Sequence, residues 1–243
     1  YLNSNKITAK LDFNLNQNNK LSIRHGYVFA ENLEGVRSSS TRIRFLNESE
    51  YFVSSTNSTA IELNSIINNE ISNNLKVGLT FVRDDRDPYQ GEESKNVGED
   101  GNPNYFPYVT ILDGAGRITF GSEQFSTANA LDQNVITITD NLEIYKGRHN
   151  ITIGTHNEFF SVYNLFIRQN YGVYEFNDLD DFLGDSLPGE FFRSYSLVDD
   201  ITGDGSAAAS EFSGAQFGAY IQDEFQVNPN FKLTGGLRFD LPV

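Results

Sequence analysis

The chain has 243 residues, and its 33 acidic against 18 basic side chains give a formal net charge of −15 at pH 7. This balance argues against nucleic acid as a partner, because phosphates are bound by clustered lysine and arginine. The absence of cysteine excludes disulfides, thiolate zinc sites and cysteine nucleophiles, and it fits an exported protein.

Four β-hairpins are predicted in chain order. In each, apolar and polar residues alternate along two arms, and a period of two predicts strands with one apolar and one polar face. The alternating arms are 7–15 with 21–29, 61–71 with 75–81, 136–144 with 151–159, and 217–227 with 231–239. Short polar turns are predicted inside the hairpins at about 16–20, 72–74, 146–149 and 228–230. Long connections between the hairpins are predicted at about 31–58, 85–134 and 164–212.

The second and third long connections are rich in aromatic residues. These are Tyr105, Phe106 and Tyr108 in the second connection, and Phe166, Tyr171 and Tyr174 around the start of the third. Aromatic side chains on loops are suited to capture a sugar or a peptide, and they also pack inside folded loops. The sequence leaves both interpretations open, so the six residues are candidate ligand contacts.

The third connection carries two further signals. Asp178 is placed to cap a short helical turn that presents Leu179, Phe182 and Leu183. Farther along, Asp199, Asp200 and Asp204 form an acidic cluster whose oxygens suit calcium, a hard cation. Solvated loop charge is the default interpretation of that cluster, and no other cofactor is indicated.

The hairpins predict an all-β fold of about eight antiparallel strands in one domain over 1–243. Short turns at one side, long connections at the other and strands longer than ten residues are typical of an up-and-down transmembrane β-barrel. Alternation alone is equally compatible with a β-sandwich. Charges on the polar faces, including Lys10, Asp12 and Arg24, favour a barrel wide enough to be plugged or filled with water.

Catalysis is not predicted. His25, His149 and His156 lack metalloprotease spacing, and no nucleophile-elbow, phosphate-loop or dinucleotide-binding motif occurs. A β-rich hydrolase with side chains gathered from distant loops is the weakest hypothesis. No run approaches the roughly 18 apolar residues of a membrane helix, whereas barrel strands need only about 9–11 alternating residues.

Two stretches resemble a known family. The residues AYIQDEFQVNPNFKLTGGLRFDLP over 219–242 resemble the barrel of TonB-dependent outer-membrane receptors, in which a Tyr-x-Gln-Asp strand, a short periplasmic turn and a Gly-Leu-Arg-Tyr/Phe-Asp strand recur. The stretch YGVYEFNDLDDFLGD over 171–185 resembles the Oar-like branch, which bears a carboxypeptidase-regulatory domain and is common in Bacteroidetes-type bacteria.

The resemblance implies a 22-stranded barrel in the bacterial outer membrane, with about eight internal strands supplied by this chain. It also implies membrane lipid and a TonB-type energising complex as partners, the latter through an N-terminal part that these residues lack. A surface lipoprotein or an extracellular ligand is a further expected partner. The chain begins with Tyr1 and contains no methionine, so we expect it to be part of a longer protein.

Two functions therefore follow from the sequence. The first is the barrel portion of a TonB-dependent receptor that captures a ligand with its external loops for energised uptake. The alternative is a secreted or surface β-sandwich that binds carbohydrate through its aromatic loops. Strand faces distinguish them, because Ile136, Ile138 and Leu142 contact lipid only in the barrel, while Thr137 and Thr139 contact water.

Overall fold

The computed structural model describes residues 2–89, 106–184, 186–198 and 205–243. Thirteen strands, numbered in chain order, form two sheets in these residues. None of the helices in the described ranges has the length and apolar character of a membrane-spanning helix. The predicted all-β class is confirmed.

Eight long strands form one continuous antiparallel sheet, which we call the wall. Its strands are β1 (Leu2–Asn14), β2 (Asn19–Leu33), β4 (Glu50–Ile66), β5 (Ile71–Pro88), β8 (Asn129–Lys146), β9 (His149–Phe166), β12 (Ser210–Asn228) and β13 (Phe231–Pro242). They pair in that order, so every neighbour in the wall is the preceding or following long strand. Within the described residues the sheet is open, with β1 and β13 at its edges.

The pairing register aligns like with like across the wall. One lateral row runs through Leu11, Ile23, Ile61, Val77 and Ile138 on β1, β2, β4, β5 and β8. The adjacent row on the opposite face runs through Asp12, Ser22, Glu62, Lys76, Thr139 and His156. Because side chains alternate along a strand, this register collects most of the apolar residues near the short turns on one face and most of the charged residues there on the other.

The turn of the second hairpin differs from the prediction. The predicted turn at 72–74 is wrong, because those residues lie in β5, and the chain reverses at 67–70 instead. The Asn68 side chain accepts a hydrogen bond from the backbone amide of Glu70 at 2.8 Å, which stabilises the turn. Either position keeps the odd-numbered apolar residues on one face, so alternation could not distinguish the two.

The wall strands extend beyond the alternating arms at the end where the long connections start. β4 begins at Glu50 and β8 at Asn129, whereas the alternation begins near residues 61 and 136. The extensions are continuous backbone ladders, as in the pairing of β4 with β5 from Glu50 to Ile66. Backbone pairing therefore maintains the strands where the side-chain pattern is mixed.

Five short strands from the three long connections form the second sheet, which we call the connection sheet. They are β3 (Arg42–Arg44), β6 (Tyr108–Asp113), β7 (Gly116–Phe120), β10 (Val173–Phe176) and β11 (Glu190–Phe192). Their order is β11-β10-β6-β7-β3, with parallel pairs between β3 and β7 and between β6 and β10. Both parallel pairs join different connections, so the three connections form one unit.

The buried apolar core of the described residues lies at this end of the molecule. Its members are Tyr108, Val109, Ile111, Ala128, Leu165, Ile167 and Val173, in the connection sheet or beside it. The wall, in contrast, has no buried apolar side chain in the middle of its described strands. Packing thus stabilises the connections, while hydrogen-bonded ladders maintain the wall.

Candidate functional site

A buried carboxylate connects the first long connection to the second. Glu48 lies in a 3₁₀ turn, Leu46–Glu48, and is 3% exposed. Its carboxylate accepts hydrogen bonds from Arg42 Nη2 at 2.6 Å, Tyr108 Oη at 2.9 Å and Thr119 Oγ1 at 2.6 Å. Arg44 Nη2 lies 3.0 Å from the same carboxylate. The two arginines and the two hydroxyl groups therefore compensate the buried negative charge of Glu48.

The same contacts set the protonation of this cluster. Burial opposes ionisation of Glu48, but hydrogen bonds from Arg44, Thr119 and Tyr108 and the charge of Arg42 outweigh it and lower the pKa of the carboxyl below its usual value. Burial and the adjacent Glu48 charge raise the pKa of Tyr108. Glu48 is therefore ionised and Tyr108 neutral at physiological pH.

An aromatic row crosses the opposite face of the connection sheet. It consists of Phe45, Phe120, Tyr174 and Phe191, with Val109 between Phe120 and Tyr174. The Phe45 and Phe120 rings are 6.0 Å apart edge to face, and the Tyr174 and Phe191 rings are 4.8 Å apart. Phe45 and Phe191 are 51% and 53% exposed, so both ends of the row are accessible.

A short helix packs on the aromatic row. Helix α1 (Leu179–Leu183) begins after Asp178, whose side chain accepts a hydrogen bond from the amide of Asp181 at 2.7 Å. The predicted cap is confirmed. Phe182 of α1 contacts Phe120 at 5.9 Å and Phe176 at 5.2 Å between ring centroids. Leu183 is exposed, so the helix presents Phe182 to the sheet and Leu183 to the outside.

The predicted aromatic contacts occupy different environments. Phe106 is half exposed and stacks on Phe120 with the ring planes at 24°. Tyr108 is buried with its hydroxyl on Glu48, and Phe166 is exposed at the end of β9. Tyr174 belongs to the aromatic row, and Tyr171 is half-buried just before β10. Tyr105 lies outside the described residues.

Ligand binding by these six residues stays a prediction, as does calcium binding. Asp199, Asp200 and Asp204 lie outside the described residues, and the residues that are described contain no cluster of three or more metal-ligating side chains. Sequence analysis missed Phe45, Phe120 and Phe191 as members of the aromatic row. Only the parallel pairing of distant connections brings them together, and no local pattern signals it.

On the polar face of the wall, residues of the Tyr-x-Gln-Asp and Gly-Leu-Arg-Phe-Asp motifs contact one another. Tyr220 and Arg238 are paired across β12 and β13, and the guanidinium lies 5.5 Å from the tyrosine ring centroid. Arg238 also donates to Asp240 at 2.7 Å, and the Tyr220 hydroxyl donates to Asn141. The Tyr220 ring covers Gly154, where a Cβ would lie 2.5 Å from ring atoms. The aromatic ring thus replaces the missing side chain of that glycine.

Eight alternating strands with short turns at one end and folded connections at the other define the wall of an outer-membrane β-barrel. The family model described as outer membrane beta barrel domain matches residues 1–243, and the chain belongs to this family. It lies in the bacterial outer membrane, in contact with lipid. The alternative of a β-sandwich is wrong, because the eight strands form one continuous sheet.

Solved structures show the same fold. The outer membrane transporter YddB from Escherichia coli is similar with a TM-score of 0.62 and 12% identity over 98% of this chain and 27% of that chain. The ferric-catecholate import receptor Fiu from E. coli K12 is similar in its open form, with a TM-score of 0.53, 14% identity, and coverage of 98% and 37%. The closed form of Fiu is similar with a TM-score of 0.55 and 16% identity over 98% of this chain and 34% of that chain. The comparison with curated proteins found no match.

The chain spans only 27–37% of the length of these similar structures. At these identities the likeness shows the fold alone. The chain is therefore similar to barrels of outer-membrane transporters and receptors.

Proposed function

We propose that the chain is part of the barrel of a TonB-dependent outer-membrane receptor of the Oar-like branch. The connection sheet faces the exterior and captures a ligand, and the polar face of the wall surrounds the passage. This proposal assigns transport and no catalysis. The TonB-type energising complex acts through a part of the protein outside these residues, and a surface lipoprotein is a further partner in this proposal.

The aromatic row carries the proposal. Phe45, Phe120 and Phe191 come from all three long connections and form one row with Tyr174, which is accessible at its two ends, Phe45 and Phe191. Such a surface buries large apolar area at a small cost in side-chain entropy, which suits ligand capture. The similarity to YddB, an outer membrane transporter, and to Fiu, a ferric-catecholate import receptor, supports transport through the wall.

Fluorescence in whole cells tests capture and uptake together. A fluorophore on Leu187→Cys, where the side chain is 89% exposed beyond α1, reports ligand at the connection sheet of the full-length protein. Ferric catecholates, oligosaccharides and peptides are the probes. We expect one class to quench the signal, and we expect recovery as energised cells deplete the probe from the medium.

The control strain lacks the TonB-type protein and should show quenching without recovery. A Phe120→Ala variant should weaken the quenching about tenfold in probe concentration, because the centre of the aromatic row is removed. Recovery at the same rate in both strains contradicts energised uptake. Equal quenching in the Phe120→Ala variant contradicts the aromatic row as the capture surface.

Site-directed labels test which face of the wall meets lipid. In the full-length protein, spin labels at Ile136, Ile138 and Leu142 should be accessible to oxygen dissolved in lipid. Labels at Thr137 and Thr139 should be accessible to a water-soluble relaxation agent. Equal aqueous accessibility at all five positions contradicts the barrel orientation.

A further inference from the structure

The reversal between β8 and β9 concentrates positive charge at one end of the wall. It consists of Lys146, Gly147, Arg148 and His149, which we call the basic turn. Gly147 has a φ of +64°, which permits a two-residue reversal and leaves Lys146 paired with His149. The short turns elsewhere in the described wall contain neither lysine nor arginine, and they are 15–18, 67–70 and 229–230.

Lys146 lies on the face of the wall that contacts lipid. It follows Ile144 by two residues on β8, so the two side chains share a face. Its lateral row continues through His149 on β9 and Phe225 on β12 to Leu233 on β13. The chain reverses directly after this row. Lys146 is therefore placed at the edge of the apolar band, where the long side chain of a lysine reaches the lipid headgroups.

Both cations of the basic turn retain hydrogen-bond donors. Lys146 is exposed and has no ion-pair partner among the residues that the structure describes. Arg148 donates from Nη1 to the carbonyl oxygen of Val227 at 2.9 Å, and its own carbonyl oxygen accepts from the amide of Gln226 at 2.8 Å. These bonds hold the arginine against the neighbouring turn, while its Nε and Nη2 donors stay available.

The lysines beside the other turns are placed differently. Lys20 lies on the polar face, 3.7 Å from Asp12, and Lys232 donates to Glu224 on that face at 2.7 Å. Their charges are therefore compensated within the wall. Among the short turns of the described wall, only the basic turn places uncompensated cations beside the apolar face.

A carboxylate on the same face is paired within the wall. Asp223 lies on β12, and its Oδ2 is 2.7 Å from Nδ1 of His149. The imidazole also stacks on Phe225, with the ring centroids 4.6 Å apart. Since β9 lies between β8 and β12, His149 separates this carboxylate from Lys146. The negative charge is thus directed to the histidine and leaves the two cations for another partner.

We propose that the basic turn binds the headgroup of an anionic glycerophospholipid in the periplasmic leaflet of the outer membrane. Short turns of outer-membrane barrels lie on the periplasmic side. Lys146 supplies a mobile ammonium group and Arg148 supplies planar N–H donors, and both suit phosphate oxygens. Basic clusters at a membrane surface favour anionic lipids for this reason.

The occupant is a lipid because the apolar row beside the basic turn fits its acyl chain. Ile144 and Ile151 are paired in the next row toward the middle of the membrane. A bound phospholipid meets the cations with its headgroup and the two isoleucines with its chain. Free phosphate would meet the cations alone. This inference concerns lipid selection and is independent of the proposed uptake function.

Quenching of a fluorophore by labelled lipid tests the site in the full-length protein, reconstituted into vesicles. The chain itself contains no cysteine, so a bimane is attached to Ile144→Cys with any cysteines elsewhere replaced. Phosphatidylglycerol or phosphatidylcholine with a nitroxide on its acyl chain is then titrated in. Leu21→Cys is the matched control, because it lies on the same face two residues from the end of β2 at the turn 15–18.

At Ile144→Cys we expect half-maximal quenching at an at least fivefold lower fraction of phosphatidylglycerol than of phosphatidylcholine, since each basic residue favours an anionic lipid about fivefold. At Leu21→Cys the two lipids should differ less than about twofold, because no cation faces lipid at that turn. Adding Lys146→Gln and Arg148→Gln together should abolish the preference at Ile144→Cys. Adding Lys20→Gln and Lys232→Gln removes the same charge from the polar face and should leave it unchanged.

Three results overturn the proposal. The first is the same preference at both label positions, which shows only general attraction to anionic lipid. The second is a preference that persists without Lys146 and Arg148. The third is loss of the preference in inorganic phosphate but not in sodium chloride of equal ionic strength, which shows a site for free phosphate. Heat-dependent gel mobility reports folding. Should the double variant fail to fold, Lys146→Gln alone replaces it, and an unchanged preference in that variant also overturns the proposal.

Discussion

The wall and the connection sheet are built on different principles although the same long strands lead from one to the other. Wall strands carry half-exposed side chains sorted by parity, and continuous backbone ladders maintain them. The connection sheet buries Ile111 and Thr119 to 2% and 1% exposure and encloses an ionised carboxylate, Glu48. A side-chain substitution should therefore lower the stability of the connection sheet more than that of the wall.

The largest expected effect is the loss of the carboxylate in the connection sheet. Glu48→Ala leaves Arg42 and Arg44 without their common partner, and we expect the free energy of local unfolding to fall by about 3 kcal/mol. Hydrogen exchange of peptides from 106–120 measures it. Glu62→Ala on the polar face of the wall is the control and should cost less than about 1 kcal/mol. Equal losses in the two variants would remove the distinction between the regions.

Backbone crowding in the connection sheet predicts the next effect. Gly121 has a φ of +100°, and a Cβ there would lie 2.0 Å from the carbonyl oxygen of Pro107. Gly121→Ala should cost about 3 kcal/mol in the same exchange measurement. Gly114→Ala also has a positive φ but meets open space, so it should cost only about 1 kcal/mol. A Gly114→Ala cost as large as that of Gly121→Ala would show that backbone angle alone, without crowding, governs both sites.

As the pH is lowered, the connection sheet should lose stability at a higher pH than the wall does. The pKa of Glu48 is lowered in the folded state, so its stabilisation is complete above its ordinary value of 4.5 and is lost as the pH falls through the lower folded value. Distances between spin labels at Ile43 and Asp113 should broaden below pH 4.5. The Glu48→Gln variant should lose this pH dependence, and broadening that persists in it would assign the effect to another group.

The smallest expected effect concerns the helix on the aromatic row. Asp178→Ala removes the cap bond to the amide of Asp181 and should cost α1 about 1 kcal/mol. Exchange of the Asp181 amide measures the change. Asp180→Ala in the first turn should have little effect, and an equal loss in that variant would point to charge near the helix terminus instead of the cap.

The sequence predicted which side chains share a face of the wall, because apolar and polar residues alternate along each strand. Alternation placed Ile138 and Thr139 on opposite faces, and the Asp178 cap was equally local. The turn at 67–70 escaped prediction because a shift that preserves parity leaves the pattern unchanged. The aromatic row escaped it because Phe45 and Phe120 are far apart in the chain, and parallel pairing between connections has no local signature.

Joining three connections in one sheet also constrains the order of folding. The parallel pairs β3–β7 and β6–β10 are contacts of high sequence separation, and their ends are brought close only once β4, β5, β8 and β9 have paired. Closing these loops earlier would cost chain entropy that no local contact repays. We therefore expect the connection sheet to be the last element to acquire its register, and we expect an insertion into any one connection to delay the assembly of all three.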